Sequence, residues 1–303
     1  MSEPRPRNFE LEANTEDIDG LRVYADWLQS VGDPRGELVS LEVHRREGFR
    51  SQRKALEEEI QARTQPYVDS WHAWAQARDL IDVHPKFKRG FVHAIEGPLP
   101  QLRGVLDELF ERDPIQRLTL REVDDDDLQR VCATSPTWFA RLHYLHITGR
   151  VGPLGAAALA EVSLAQVERL NLLGNRIEAE ACAQLANLDA PALRALTLTA
   201  NQIDAAGLAS LLDCPTRGSW RELYLAQNPL TAAGLAQLAQ ASGLEQLEAL
   251  YLCDVEAQFA DFAVVLDSPR LAGLETLEIS MAGASGPLHD RMRARWGRGL
   301  VLR

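Results

Sequence analysis

The sequence predicts an α/β solenoid, with parallel strands on its concave face and helices on its convex face, preceded by a small α-helical domain. Three observations predict it. Leucine is unevenly divided: 8 of 46 leucines fall in residues 1–100 and 38 in residues 101–303. An L-x-x-L-x-L pattern, with other apolar residues admitted, recurs seven times. Its middle anchors are Leu118, Leu145, Leu170, Leu196, Leu223, Leu250 and Leu277, spaced 27, 25, 26, 27, 27 and 27 residues apart. Finally, the second half of each unit carries apolar residues at helical spacing. One strand–helix unit cannot bury its own apolar face, whereas stacked units share a continuous core.

The first hundred residues read differently. Thr15 is placed to cap a helix whose inner face is Ile18, Leu21, Tyr24, Ala25 and Leu28. Gly32-Asp33-Pro34-Arg35-Gly36 ends it, because glycine and proline both interrupt helices. A second helix follows with Leu38, Leu41 and Val43 inward. A third apolar region holds Trp71, Trp74 and Leu80, and residues 88–95 read as a strand that starts the solenoid sheet. The domain boundary is therefore placed between 86 and 87: a helical domain over 1–86, and a solenoid with capping strands at both ends over 87–303.

In three repeats an asparagine lies three residues after the last anchor: Asn175, Asn201 and Asn228. Its side chain can hydrogen-bond the backbone inside the turn that leaves the strand. The same position holds Val123, Arg150, Val255 and Ala282 elsewhere, so those turns must be held otherwise. The helical halves are residues 152–160, 178–186, 204–212 and 231–239. Cys182 takes the register of Leu208 and Leu235 and reads as a small buried hydrophobe. Gly207 and Gly234 share a register where a side chain would meet the neighbouring unit. Near the end, residues 293–303 offer a last strand around Leu300 and Leu302. The five arginines in 289–303 supply the polar layer that an open solenoid end needs.

The L-x-x-L-x-L-x-x-N pattern in a 25–27-residue unit resembles the ribonuclease-inhibitor-like class of leucine-rich repeats. At the other end, Arg22-Val23-Tyr24-Ala25-Asp26-Trp27-Leu28 and Gly32-Asp33-Pro34-Arg35-Gly36-Glu37 resemble the bacterial repeat-companion domain. Phe87-Lys88-Arg89-Gly90-Phe91-Val92 is similar to the junction before the repeats in such proteins. The resemblance implies an architecture, a helical module followed by repeats, and no particular activity.

Composition excludes several classes. The chain has 303 residues, 46% hydrophobic and 25% charged, which argues against wholesale disorder. Its net charge of −12 argues against general nucleic-acid binding. No apolar run approaches the ~20 residues that span a bilayer, and the first 19 residues lack a signal-peptide core. The expected compartment is the cytoplasm, without membrane association. Cys132, Cys182, Cys214 and Cys253 lie far apart in sequence and are expected as free thiols.

The search for chemistry finds no phosphate loop, zinc-protease motif or nucleophile elbow. His143 and His146 lie three apart on a strand and point to opposite faces. Asp124–Asp127 sits before a helix, where acids favour the N-terminus. No metal or cofactor is expected. In each L-x-L the middle residue faces the concave side. That column reads Thr119, His146, Asn171, Thr197, Tyr224, Tyr251 and Glu278. With the flanking columns it supplies the candidate anchors Arg121, His146, Arg169, Tyr224 and Tyr251, since tyrosine and arginine dominate interface hot spots. The expected function is a non-enzymatic scaffold, monomeric by default, that binds a protein of unidentified kind through this face. A second candidate surface is Asp26, Trp27, Arg45 and Arg46. The basic stretch Arg45, Arg46, Arg50, Arg53 and Lys54 is the alternative, for nucleic acid or an acidic partner. A thiol-dependent enzyme built on Cys253 is the third reading. Asp26 is expected to cap its helix or pair with Arg35.

Overall fold

A computed structural model of the chain describes residues 18–134, 137–280 and 284–303. The proposed cap Thr15 and the turn residue Ala282 lie outside them. The chain forms two units, residues up to Gly97 with Gly104–Arg117, and Pro98–Arg103 with Leu118–Arg303.

In the first unit, α1 (Ile18–Ser30) buries Leu21, Tyr24, Ala25 and Leu28, as their spacing predicts. It ends where Gly32 turns to a φ of +73°, a conformation that favours glycine. In α2 (Arg35–Glu47) the buried set is Leu38, Val39 and Val43. Leu41, expected inward, is only half-buried; Val39 and Val43, one turn apart, form the inner row instead. The third helix, α3 (Arg53–Gln76), runs for 24 residues through Pro66. Trp71 is buried on it, while the half-buried Trp74 donates its indole N–H to Glu108 at 2.8 Å. Residues 88–95 are not one strand. They contain the turn of an antiparallel hairpin between β1 (His84–Lys88) and β2 (Phe91–Pro98). Arg89 and Gly90 both take positive φ, 56° and 78°, the requirement of a two-residue hairpin turn with the native twist. The boundary expected at 86/87 would cut β1.

The second unit begins with α4 (Leu99–Leu102), and α5 (Leu106–Arg112) returns to the first. The repeats then follow in chain order: β3 (Arg117–Val123), α6 (Asp125–Thr134), β4 (Tyr144–Gly149), α7 (Pro153–Ala160), β5 (Arg169–Asn171), α8 (Ala179–Leu185), β6 (Ala195–Thr197) and α9 (Ala205–Leu212). They continue with β7 (Glu222–Tyr224), α10 (Ala232–Gln240), β8 (Ala249–Leu252), α11 (Ala263–Leu266), β9 (Thr276–Ile279), α12 (Pro287–Trp296) and β10 (Leu300–Leu302). All seven middle anchors are fully buried. From β4 onward neighbouring strands are parallel and in register, Leu145 beside Leu170, then Leu196, Leu223, Leu250, Leu277 and Leu300. Strands therefore line the concave face of a leucine-rich-repeat solenoid and helices its convex face.

The asparagines do more than close their own bends. Asn201 Nδ2 donates to the carbonyls of Leu198 and Thr199 in its own unit and of Leu172 in the unit before, at 3.0, 3.2 and 2.9 Å. Its Oδ1 accepts the Ile177 N–H of that previous unit at 3.1 Å. Asn175 and Asn228 repeat this pattern one unit earlier and one unit later. All three are buried, so four polar backbone groups per turn find partners where water is excluded.

A second regularity carries no residue signature. Glu122, Gly149, Gly174, Ala200, Gln227 and Asp254 all take positive φ, each just before the turn position. Only two are glycine. Left-handed backbone costs a residue with a Cβ roughly 1–2 kcal/mol, partly offset because glycine orders at greater entropic cost. Ala200→Gly is therefore expected to stabilise the fold by about 0.5 kcal/mol, read as a raised urea midpoint at unchanged slope. A lowered midpoint would refute the strain assigned to Ala200.

The remaining polar motifs are absorbed by packing. Asp124 caps α6 by accepting the Asp127 N–H at 2.9 Å. Asp125 reaches the next unit and accepts the N–H groups of Gly152 and Gly155 at 2.7 and 2.9 Å, and Asp127 pairs with Arg103 at 2.8 Å. A Cβ on Gly207 would lie 3.2 Å from Ala179 of the preceding unit, as expected; one on Gly234 would first meet Leu230 of its own unit. Cys182 is fully buried, and burial pushes its thiol up to about 12. At the end, Arg295 donates to the carbonyls of Leu266 and Leu271, and Trp296 to that of Leu274 at 2.8 Å. Arg291 pairs with Asp267, and Arg303 with Glu278 at 2.7 Å. Much of the basic tail thus closes the last core layer.

Candidate functional site

Tyr224 and Tyr251 are register partners on β7 and β8. Their rings stack with centroids 4.0 Å apart and planes within 5°. The next column fixes the pair from one side. Glu222 lies two residues before Tyr224 on the same face, and its Oε2 accepts the Tyr224 hydroxyl at 2.6 Å. Burial, then this hydrogen bond, push the Tyr224 phenol above its ordinary range. The Arg169 guanidinium on β5 also binds Glu222, at 3.0 and 3.4 Å. Between them in register stands Ala195, whose small side chain leaves the path open across one whole unit.

Beside the tyrosines lies an open hollow of about 550 Å³. Thr199, Ala226, Gln227, Asp254, Ser280 and Arg303 line it with the two rings. Cys253 and Glu278 form the rest of its wall. The Cys253 thiol donates to Glu278 at 3.5 Å and burial raises its pKa, so it stays protonated near neutrality and is a poor nucleophile.

The five expected anchors do not converge. Arg169 and Tyr224 are joined through Glu222, and Tyr251 stacks on Tyr224. Arg121 on β3 and His146 on β4 lie towards the other end of the strand row. Four strand intervals, roughly 19 Å, separate the columns of Arg121 and Tyr224. His146 sits edge-on to Tyr144, centroids 6.3 Å apart. Glu222 was not among the expected anchors. A carboxylate two residues before a tyrosine on one strand was the available signal.

The second candidate surface is largely occupied by internal contacts. Trp27 is half-buried against the α1–α2 core and stacks on Tyr24, centroids 6.1 Å apart. Asp26 is exposed. Arg35, its expected partner, instead binds Asp33 at 2.5 Å and covers the Phe91 ring at 3.9 Å. Arg45 and Arg46 share Glu42 at 2.8 and 3.1 Å. Burial disfavours the charged form of Glu42, yet these two guanidiniums hold its carboxyl below the ordinary range. Arg45 also meets Glu57, and Lys54 lies 3.9 Å from Glu58. Glu47, the one acid within this stretch, pairs with Arg22 at 2.5 Å. Arg50 and Arg53 are exposed.

Among the described residues no group of three His, Cys, Asp or Glu side chains is placed to hold a metal ion, and no helix is long and apolar enough to cross a membrane. Stacked parallel strands, an outer helix row and the asparagine ladder define the second unit as a leucine-rich-repeat solenoid. No protein-family model and no curated protein matches the chain. Among solved structures, an internalin (InlF) from Listeria monocytogenes is similar at 19% identity and a TM-score of 0.38. The match covers 58% of this chain and 44% of the internalin chain.

Proposed function

We propose that this protein is a non-enzymatic scaffold whose concave face binds a protein partner, with Tyr224 and Tyr251 at the centre of contact. One observation supports this above others. Two half-buried tyrosines are stacked and oriented by Glu222 beside an open hollow. Rigid aromatic groups ordered before binding lose little side-chain entropy when a partner arrives, and tyrosine is enriched at hot spots. Arg169 belongs to the same contact through Glu222; Arg121 and His146 form its outer part. The first unit, in this reading, is a repeat-companion-type module, and the setting is a bacterial cytoplasm.

The test is capture from lysate of the source organism, followed by mass spectrometry. Tyr224→Ala/Tyr251→Ala is expected to retain its circular dichroism and lose the captured protein at least tenfold, the cost of one hot-spot residue of about 1.4 kcal/mol or more. A folded double variant that captures the same protein equally well refutes the assignment. The alternative through Arg45–Lys54 is weakened by Glu42, Glu57 and Glu58, which already hold three of its five cations.

A further inference from the structure

We propose that the hollow beside Tyr224 and Tyr251 receives a cationic side chain, arginine or lysine, from the partner. This rests on the concave-face reading and names its chemistry.

Two of the residues that line the hollow, Asp254 and Glu278, are carboxylates. With Glu222, which holds the Tyr224 hydroxyl outside the hollow's lining, they make three carboxylates around the tyrosine pair. Two of them already hold guanidinium groups of this chain: Glu222 holds Arg169, and Glu278 holds Arg303. These contacts show the charge and geometry that the carboxylates accept. The third, Asp254, lines the hollow and is exposed. Its backbone is fixed at a φ of 54°, with its N–H donating to Ser280 Oγ at 3.1 Å. Its carboxylate has no partner among the described residues. The hollow therefore keeps one uncompensated negative charge beside two aromatic rings, a combination that attracts cations.

Arg303 is the resident cation. Its side chain is 69% exposed, while the Glu278 that it binds is 13% exposed. The carboxylate is built into the wall; the guanidinium is loosely held. A partner arginine can displace Arg303 at little cost, because it puts one guanidinium in the place of another on the same carboxylate.

The probes are hexa-arginine and hexa-glutamate peptides titrated into the full chain by isothermal calorimetry. Hexa-arginine should bind and hexa-glutamate should not. Asp254→Asn is expected to weaken hexa-arginine binding about threefold or more, relative to the charge-matched Asp290→Asn at an exposed helix position. Arg303→Ala should strengthen it about two- to fivefold relative to Arg298→Ala, since it frees Glu278. The last comparison separates this site from general attraction to an acidic protein. Equal effects within each matched pair, or equal binding of both peptides, overturns the cationic assignment. The two readings fail separately. Loss of captured protein in Tyr224→Ala/Tyr251→Ala with no matched-pair difference leaves the concave face and removes the cation. Matched-pair differences with unchanged capture leave the cation site and remove the concave face as the partner's seat.

Discussion

Replacing Asn201 by alanine is expected to destabilise the solenoid by about 2–4 kcal/mol. The change removes four hydrogen bonds in one step. The Leu172 and Leu198 carbonyls keep a second donor, Nδ2 of Asn175 and of Asn228, but the buried Ile177 N–H of the preceding unit loses its partner. A buried polar group left without a partner costs about 1–3 kcal/mol, and the three other lost bonds supply the rest. Asn187→Ala serves as the control. Asn187 is exposed and donates to a single helical carbonyl, that of Ala183, and its loss should stay within about 0.5 kcal/mol. Urea unfolding of both variants decides the matter. If they unfold at the same midpoint, the asparagine ladder does not hold the units together.

Gly149→Ala should cost more than about 3 kcal/mol, or prevent folding. A Cβ at Gly149 would stand 2.5 Å from Val123 N and closer still to the Val123 carbonyl carbon-bound oxygen. Both are main-chain atoms of the previous turn, and Arg150 N donates to that same oxygen at 2.7 Å. Neither can swing aside as a side chain would. Gly174→Ala is the informative comparison. Gly174 also takes positive φ, but a Cβ there meets nothing within 4 Å. It should pay only the backbone term, roughly 1 kcal/mol. Equal losses at 149 and 174 would mean that close approach of the two turns is not what requires glycine at 149.

The repeats were legible because the core enforces them. Each leucine anchor must meet the leucine of the next unit in register, so the chain carries a period that alignment on one motif recovers. The last strand at Leu300–Leu302 was legible for the same reason. The positive-φ turns were not, because Glu122, Ala200, Gln227 and Asp254 take that conformation under pressure from the stacked units and share no side-chain type. Arg89-Gly90 was read as strand because its neighbours are apolar, although both residues turn. In the first unit, Val39 replaced Leu41 because two helices meeting at an angle select the inner row by packing, and hydrophobicity alone does not rank them. The candidate site was half legible. Alternation along β7 and β8 places Tyr224 and Tyr251 side by side, but Arg169 reaching Glu222 depends on the small Ala195 between them, a relation across three units.

The asparagine ladder also divides the strand row into two kinds of joint. Asn175, Asn201 and Asn228 rivet the four units from Leu145 to Leu223 into one hydrogen-bonded block. The units of Leu250 and Leu277 continue beyond it without rivets. Tyr224 stands on the last riveted unit and Tyr251 on the first free one. The stacked rings therefore straddle one edge of the riveted block; the other edge lies between the units of Leu118 and Leu145, where Arg150 stands at the asparagine position.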